Sequence, residues 1–163
     1  MQDHSTASKQ YDAFRAFGIL HLSILIGLLL FAIIAVLIDV KDFLPIFEAS
    51  VNRILQVVSI LFSFTMLILG YTRFKKKIFD ARTEYKSAKT RMDKYRMACI
   101  TWWVMIEMPG IFAIIGYILT SNLSFFILAL LHGLVLLLFT PRKGNIIILL
   151  KFTPEDISEL ERK

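Results

Sequence analysis

Apolar and polar residues fall in long blocks along this chain, not in short alternating runs. Four apolar blocks stand out, over residues 18–38, 54–71, 97–119 and 123–139. Each reaches or approaches the roughly 20 residues that carry a helix across a bilayer core. The pattern predicts an all-α integral membrane protein with four transmembrane helices. Within the blocks the small and polar residues are placed unevenly. Ser23 and Gly27 form a small-xxx-small pair in the first. Gln56, Ser59, Ser63 and Gly70 recur at helical spacing along one side of the second. Such faces let helix backbones approach closely in lipid, so both are expected to meet other helices.

Between the second and third blocks lies a segment of another kind. Residues 73–96 hold ten basic side chains against three acidic ones, a net +7 that exceeds the +6 of the whole chain. Phe74, Ile78, Ala81, Tyr85, Ala88, Met92, Tyr95 and Cys99 recur at alternating steps of four and three, the period of a helical apolar stripe. No glycine or proline occurs between Gly70 and Pro109 to break a helix. Two arrangements fit: one helix about 39 Å long lying on the membrane surface, or a continuation of the second and third spans into an antiparallel hairpin that turns within Thr83–Thr90. Neighbouring helices pack about 8–10 Å apart, and a straight 39 Å connector would hold these spans far beyond contact. Distance favours the hairpin.

The remaining elements follow from local chemistry. Residues 1–17 are polar and of mixed charge, read as a loose or interfacial start, and no small-residue cleavage site follows the first apolar run, so that run is read as a retained span. Residues 39–53, with Pro45, make a short connection. Thr120-Ser121-Asn122 is a tight turn between the third and fourth spans. Residues 18–140 then form the membrane domain, including the basic hairpin 73–96, and residues 141–163 form a tail. In that tail Thr153-Pro154-Glu155-Asp156 has the signature of a helix start: an N-cap, a proline at the first helical position and acids in the first turn.

Composition sharpens this picture. The 163 residues are 56% hydrophobic with mean hydropathy +0.65, too apolar for an ordinary soluble domain. A pI near 9.6 would point to nucleic acid in a soluble protein. Here the cations flank apolar spans, so membrane topology and anionic lipid headgroups are the expected causes. By the positive-inside rule the loop holding residues 73–96 is cytoplasmic, which puts both termini on that side of a cell (inner or plasma) membrane. Lys75, Lys76, Lys77, Arg82, Lys86 and Lys89 are the candidates for contact with headgroups or an acidic protein partner.

The chemistry-bearing residues are few. Glu107 lies near the middle of the third block, followed by Pro109 and Gly110. A charge at mid-bilayer costs roughly 2.5–3.5 kcal/mol even on the lenient insertion scale, so something must satisfy it. His132 lies near the centre of the fourth block, and counting from a turn at Ser121 puts it within roughly 5–6 Å of the height of Glu107. The two could form a proton relay or a structural pair, or Glu107 could be protonated and bonded to a carbonyl freed by Pro109. The Trp102-Trp103 pair reads as packing or as a depth marker. The single cysteine, Cys99, precludes an intramolecular disulfide, and His4 and His21 have no ligand spacing, so neither metal nor cofactor is called for. No phosphate-binding loop or hydrolase motif is present.

The stretch Met105-Ile106-Glu107-Met108-Pro109-Gly110-Ile111 resembles the carboxylate helix of rotary-ATPase proteolipids, where a mid-membrane glutamate carries the transported ion. That resemblance implies an ion-carrying role for Glu107. It covers about a dozen residues of one span. The rest departs from that family: its partner helix is glycine-rich, whereas the second span here has only Gly70, and a proteolipid needs no basic hairpin of this length.

Together these features point to a non-enzymatic accessory, assembly or regulatory subunit of a membrane complex, with a protein partner or a homo-oligomer at its small-residue faces. The alternative is a small proton-coupled transporter or channel using Glu107 and His132. A membrane enzyme acting on lipid ranks third, for want of any catalytic set.

Overall fold

The computed structural model describes residues 4–39, 49–83 and 87–161, with side chains of the first helix described from Phe17 onward. Six helices are present among them: α1 (His4–Asp39), α2 (Ala49–Thr83), α3 (Ala88–Thr120), α4 (Leu123–Leu138), α5 (Lys143–Leu150) and α6 (Pro154–Glu161). Tyr85, Lys86 and the connection around Pro45 lie outside the described residues. The helix of α1 begins at His4, well ahead of the expected start at Gly18, as befits a stretch with no glycine or proline to stop it.

The basic segment is a helical hairpin. At 35 and 33 residues, α2 and α3 are each about 50 Å long, far beyond the roughly 30 Å of a hydrocarbon core. The stripe is what joins them: Phe74, Ile78 and Ala81 of α2 are buried together with Ala88, Met92, Tyr95 and Cys99 of α3. Ser87 caps α3, its hydroxyl accepting from the Thr90 amide. At the opposite end α3 stops at Ser121, whose left-handed backbone (φ 50°) lets its N–H return to the Tyr117 carbonyl. Asn122 caps α4 through Ser124 and reaches Asn52 at the start of α2 (3.0 Å), tying three helices at that end.

The hub is α3, which packs against every other helix. More than half of its most apolar window is buried, against less than a quarter for α1 or α2. Between helices in lipid there is no water to expel, so close backbone approach and dispersion supply the packing. The small residues sit accordingly. Ser59, Ser63 and Gly70 of α2 are buried, with Gln56 half-buried beside them, so this face meets the rest of the fold as expected. On α1 the buried residues are Phe17, His21, Leu28, Ala32 and Ala35. The Ser23–Gly27 face is turned outward: both residues are exposed, and a methyl group on Gly27 would touch nothing within 4 Å. Aromatic and aliphatic bulk on the opposite face of α1 outweighed the small pair.

By length and composition α1, α2 and α3 can each cross a membrane, which makes this a multi-pass membrane protein of three or four candidate spans. The fourth candidate is α4 together with α5. The 16 residues of α4 extend only about 24 Å, and the chain then bends by 74° into α5. Pro141, which disfavours a helical residue before it, stops the helix there. The following apolar run folds back as α5, burying Ile146 and Leu150 against the hairpin.

The tail is clamped. Thr153 and Asp156 form a reciprocal capping box: the Thr153 amide donates to the Asp156 carboxylate (2.8 Å) and the Asp156 amide to the Thr153 hydroxyl (3.2 Å). Arg91 of α3 closes the clamp, pairing with Asp156 and lying 5.0 Å from the Phe152 ring. Burial pushes the Asp156 carboxyl up, but the Thr153 backbone hydrogen bond and the Arg91 guanidinium outweigh it and hold the group below the usual range. A depressed folded pKa contributes stability above the unfolded value, about 3.9, that is lost as pH falls through the folded value. Docking of α6 should therefore be constant from neutral pH down to about 4 and fail below it. Arg91→Ala should release the tail at neutral pH, with amide exchange over residues 154–161 about ten- to a hundredfold faster, as for the loss of a charge-assisted hydrogen bond. Unchanged protection in that variant would remove the clamp.

Candidate functional site

Inside the apolar zone the described histidine and carboxylate side chains are His21, Glu107 and His132, each on a different helix. α1 supplies His21 one turn after Phe17, on its buried face. His21 Nε2 donates to the Leu136 carbonyl at 3.0 Å, and its ring stands edge-on to Trp103 with centroids 4.7 Å apart. Leu136 lies in the last turn of α4, where its carbonyl also accepts from the Phe139 amide (3.1 Å), so His21 adds a second donor there and ties α1 to the end of α4. The sequence reading missed this role. Its signal was the i, i+4 spacing of Phe17 and His21, which places both on one face.

His132 is fully buried in α4. It sits where three helices converge: a methyl group on Gly110 of α3 would stand 3.2 Å from His132 Cβ and 3.3 Å from Leu28 of α1. Neither ring nitrogen reaches full hydrogen-bond geometry among the described residues, and the backbone acceptor beside the ring is the Ile106 carbonyl of α3. A buried imidazole left this way forfeits about 1–3 kcal/mol.

Glu107 is half-buried on α3. Its neighbour one turn back, Trp103, touches Phe17 and His21 of α1, and Gly110 three residues on touches Leu28. The carboxylate thus lies along the α1-facing edge of its helix, next to lipid-exposed Val104 and Met108. It forms no hydrogen bond or ion pair among the described residues, neither with His132 nor with the carbonyl that Pro109 leaves free. The pair anticipated from height alone shares a junction, about one turn apart in level, without a bond. Ordered from the basic end, the junction of α1, α3 and α4 holds His21 with Trp103, then Glu107, then His132 with Gly110. These levels span about 10 Å, seven residues of helix.

The two tryptophans are packing nodes on opposite sides of α3. Trp103 serves α1, while Trp102 lies among Tyr71, Phe74 and Phe139 in an aromatic cluster with α2 and α4. Of the basic candidates, Lys76 and Lys89 are exposed with no bond among the described residues, and Lys77 donates to the Thr101 hydroxyl at 3.2 Å. Lys75 stands 5.5 Å from the Tyr71 ring, and Arg82 donates through Nε to the Leu149 carbonyl. Lys75 and Arg82 line one cavity of about 430 Å³. Among the described residues no three His, Cys, Asp or Glu side chains gather into a metal-binding group. Comparison of the chain with protein-family models, with curated proteins and with solved structures finds no match in any of the three.

Proposed function

We propose that this chain is a non-enzymatic subunit of a larger membrane assembly, with four spans, the basic hairpin and both termini in the cytoplasm, and α4 with α5 as a bent fourth span. The observation that carries the reading is Glu107: a carboxylate at mid-membrane, half exposed, with no partner among the described residues. Leaving it to lipid costs roughly 2.5–3.5 kcal/mol or more, a cost that a polar group from another polypeptide would remove. The outward Ser23–Gly27 face on the neighbouring helix offers that polypeptide a close approach.

Native mass spectrometry of protein extracted in mild detergent tests this. The wild-type chain is expected to carry a further polypeptide, and Glu107→Leu to shed it. Removing the acid makes insertion easier, so failure to reach the membrane would not explain the loss. A lone monomer in both cases overturns the reading. A second reading, a proton-coupled transporter, is favoured by the succession of His21, Glu107 and His132 along one junction. A closed homo-oligomer whose proton flux in liposomes disappears in Glu107→Gln would establish that one instead.

A further inference from the structure

The cavity of about 430 Å³ between α2, α3, α4 and α5 has an uneven lining. Its inner wall is aromatic, from Phe74, Trp102 and Phe139, while Lys75 and Arg82 supply cations and Asn145 an amide. Lys75 and Arg82 are seven residues apart, two turns along one face of α2. No carboxylate lies among the described lining residues, and neither cation is paired with one elsewhere in the described structure. A further donor waits in the wall: the Trp102 indole Nε1 is buried and has no hydrogen-bond partner. One edge is formed by Leu138, 73% exposed, so the mouth adjoins the apolar outer surface of the protein. The cavity also lies where the apolar run of α2 gives way to Tyr71, Arg73 and Lys75, the depth of lipid headgroups.

We propose that this cavity binds one anionic phospholipid, its headgroup lying between Lys75 and Arg82 and the upper part of an acyl chain against the aromatic wall. A pocket of this size accepts a headgroup with part of a chain, and basic pockets beside membrane helices are suited to anionic headgroups. The aromatic wall and the exposed leucine at its edge favour a lipid over a small soluble anion, which would gain nothing from either. The site needs only the membrane environment and stands whether or not the chain is a subunit.

The chain has two tryptophans, so Trp103→Phe leaves Trp102 as the sole reporter in the wall. This variant would be reconstituted in phosphatidylcholine vesicles containing either phosphatidylglycerol or phosphatidylcholine brominated near the glycerol end of its acyl chains. Brominated phosphatidylglycerol is expected to quench Trp102 at a much lower mole fraction, with about a fivefold loss of preference for each cation removed in Lys75→Gln and Arg82→Gln. Lys75 donates no hydrogen bond among the described residues, so Lys75→Gln tests the site even if Arg82→Gln disturbs α5. Lys76→Gln, on a neighbouring residue outside the lining, should leave the preference unchanged. Equal quenching by the two headgroups overturns the proposal, as does an equal loss in Lys76→Gln. Abolition of the preference by millimolar inorganic phosphate would also overturn it, by assigning the site to a soluble anion.

Discussion

Gly70→Ala is expected to lower the thermal stability of the protein in detergent, while Gly27→Ala is expected to leave it unchanged or slightly raise it. Both glycines lie in helical interiors, where alanine is intrinsically favoured by about 0.5–1 kcal/mol. Their surroundings decide the difference. A methyl group on Gly70 would come within 2.5 Å and 2.6 Å of the Trp102 ring and 3.1 Å of Met105 Cβ. The ring cannot swing aside cheaply, because Tyr71, Phe74 and Phe139 hold it, and Met105 Cβ moves only with its backbone. Forced expansion of a packed interface costs about 1–3 kcal/mol, or roughly 3–10 °C in Tm for a chain of this size. Gly70→Leu should cost more and part α2 from α3 near the membrane boundary. Gly27, with open space around it, receives only the helix-propensity gain. Equal Tm values for the two alanine variants would mean that α2 and α3 do not meet at Trp102.

That contact shows which parts of the molecule could be read from sequence. The hairpin could, because the stripe at steps of four and three marks one apolar face along the whole segment, and a straight connector of that length would have held the second and third spans out of contact. The turn at Thr120-Ser121-Asn122 and the helix start at Thr153 were legible for a related reason, since capping chemistry is local. The inward face of α2 was legible because the alternatives on that helix, Val57, Leu61, Phe64 and Ile68, are large, apolar and suited to lipid. On α1 the same rule pointed the wrong way. Ser23 satisfies its hydroxyl by bonding the Ile19 carbonyl at 2.9 Å, so it needs no partner helix and can face outward. The choice of face fell instead to Phe17, His21 and Leu28.

What sequence could not supply was the joining of residues far apart in the chain. Arg91 and Asp156 are 65 residues apart, His21 and Leu136 are 115 apart, and no periodicity links either pair. The cavity is of the same kind. Lys75 and Arg82 were visible as two members of a basic run, but their seclusion from the other lysines depends on α5 folding back beside α2 after the break at Pro141. Heights along antiparallel helices were readable, and the near-equal depth of Glu107 and His132 followed from counting. Rotation about α3 was not, and rotation decides whether two side chains at one depth face each other. Gly110 faces His132, whereas Glu107 makes no bond to it.

His132→Leu is expected to make the protein more stable, and the direction of any accompanying loss of function would then identify what the histidine is for. The imidazole is fully buried, and neither Nδ1 nor Nε2 reaches full hydrogen-bond geometry, the Ile106 carbonyl being the backbone acceptor beside it. Exchanging an unsatisfied polar group for an apolar one of similar volume recovers the desolvation penalty of about 1–3 kcal/mol, and leucine fits against Leu28 and Gly110 without a new polar demand. His132→Ala separates packing from polarity: it relieves the same penalty but leaves a cavity, and large-to-small core changes cost about 2–5 kcal/mol. The expected order of Tm is therefore Leu variant, wild type, Ala variant. If the Leu variant melts below wild type, the ring is satisfied by the Ile106 carbonyl, by water or by a partner chain, and the histidine is structural. If it melts higher yet no longer retains its associated polypeptide in native mass spectrometry, or no longer conducts protons, the chain keeps an unstable group at the α1, α3 and α4 junction because activity requires it. A stabilised variant with intact assembly and no change in proton flux would remove His132 from the functional site and leave Glu107 alone there.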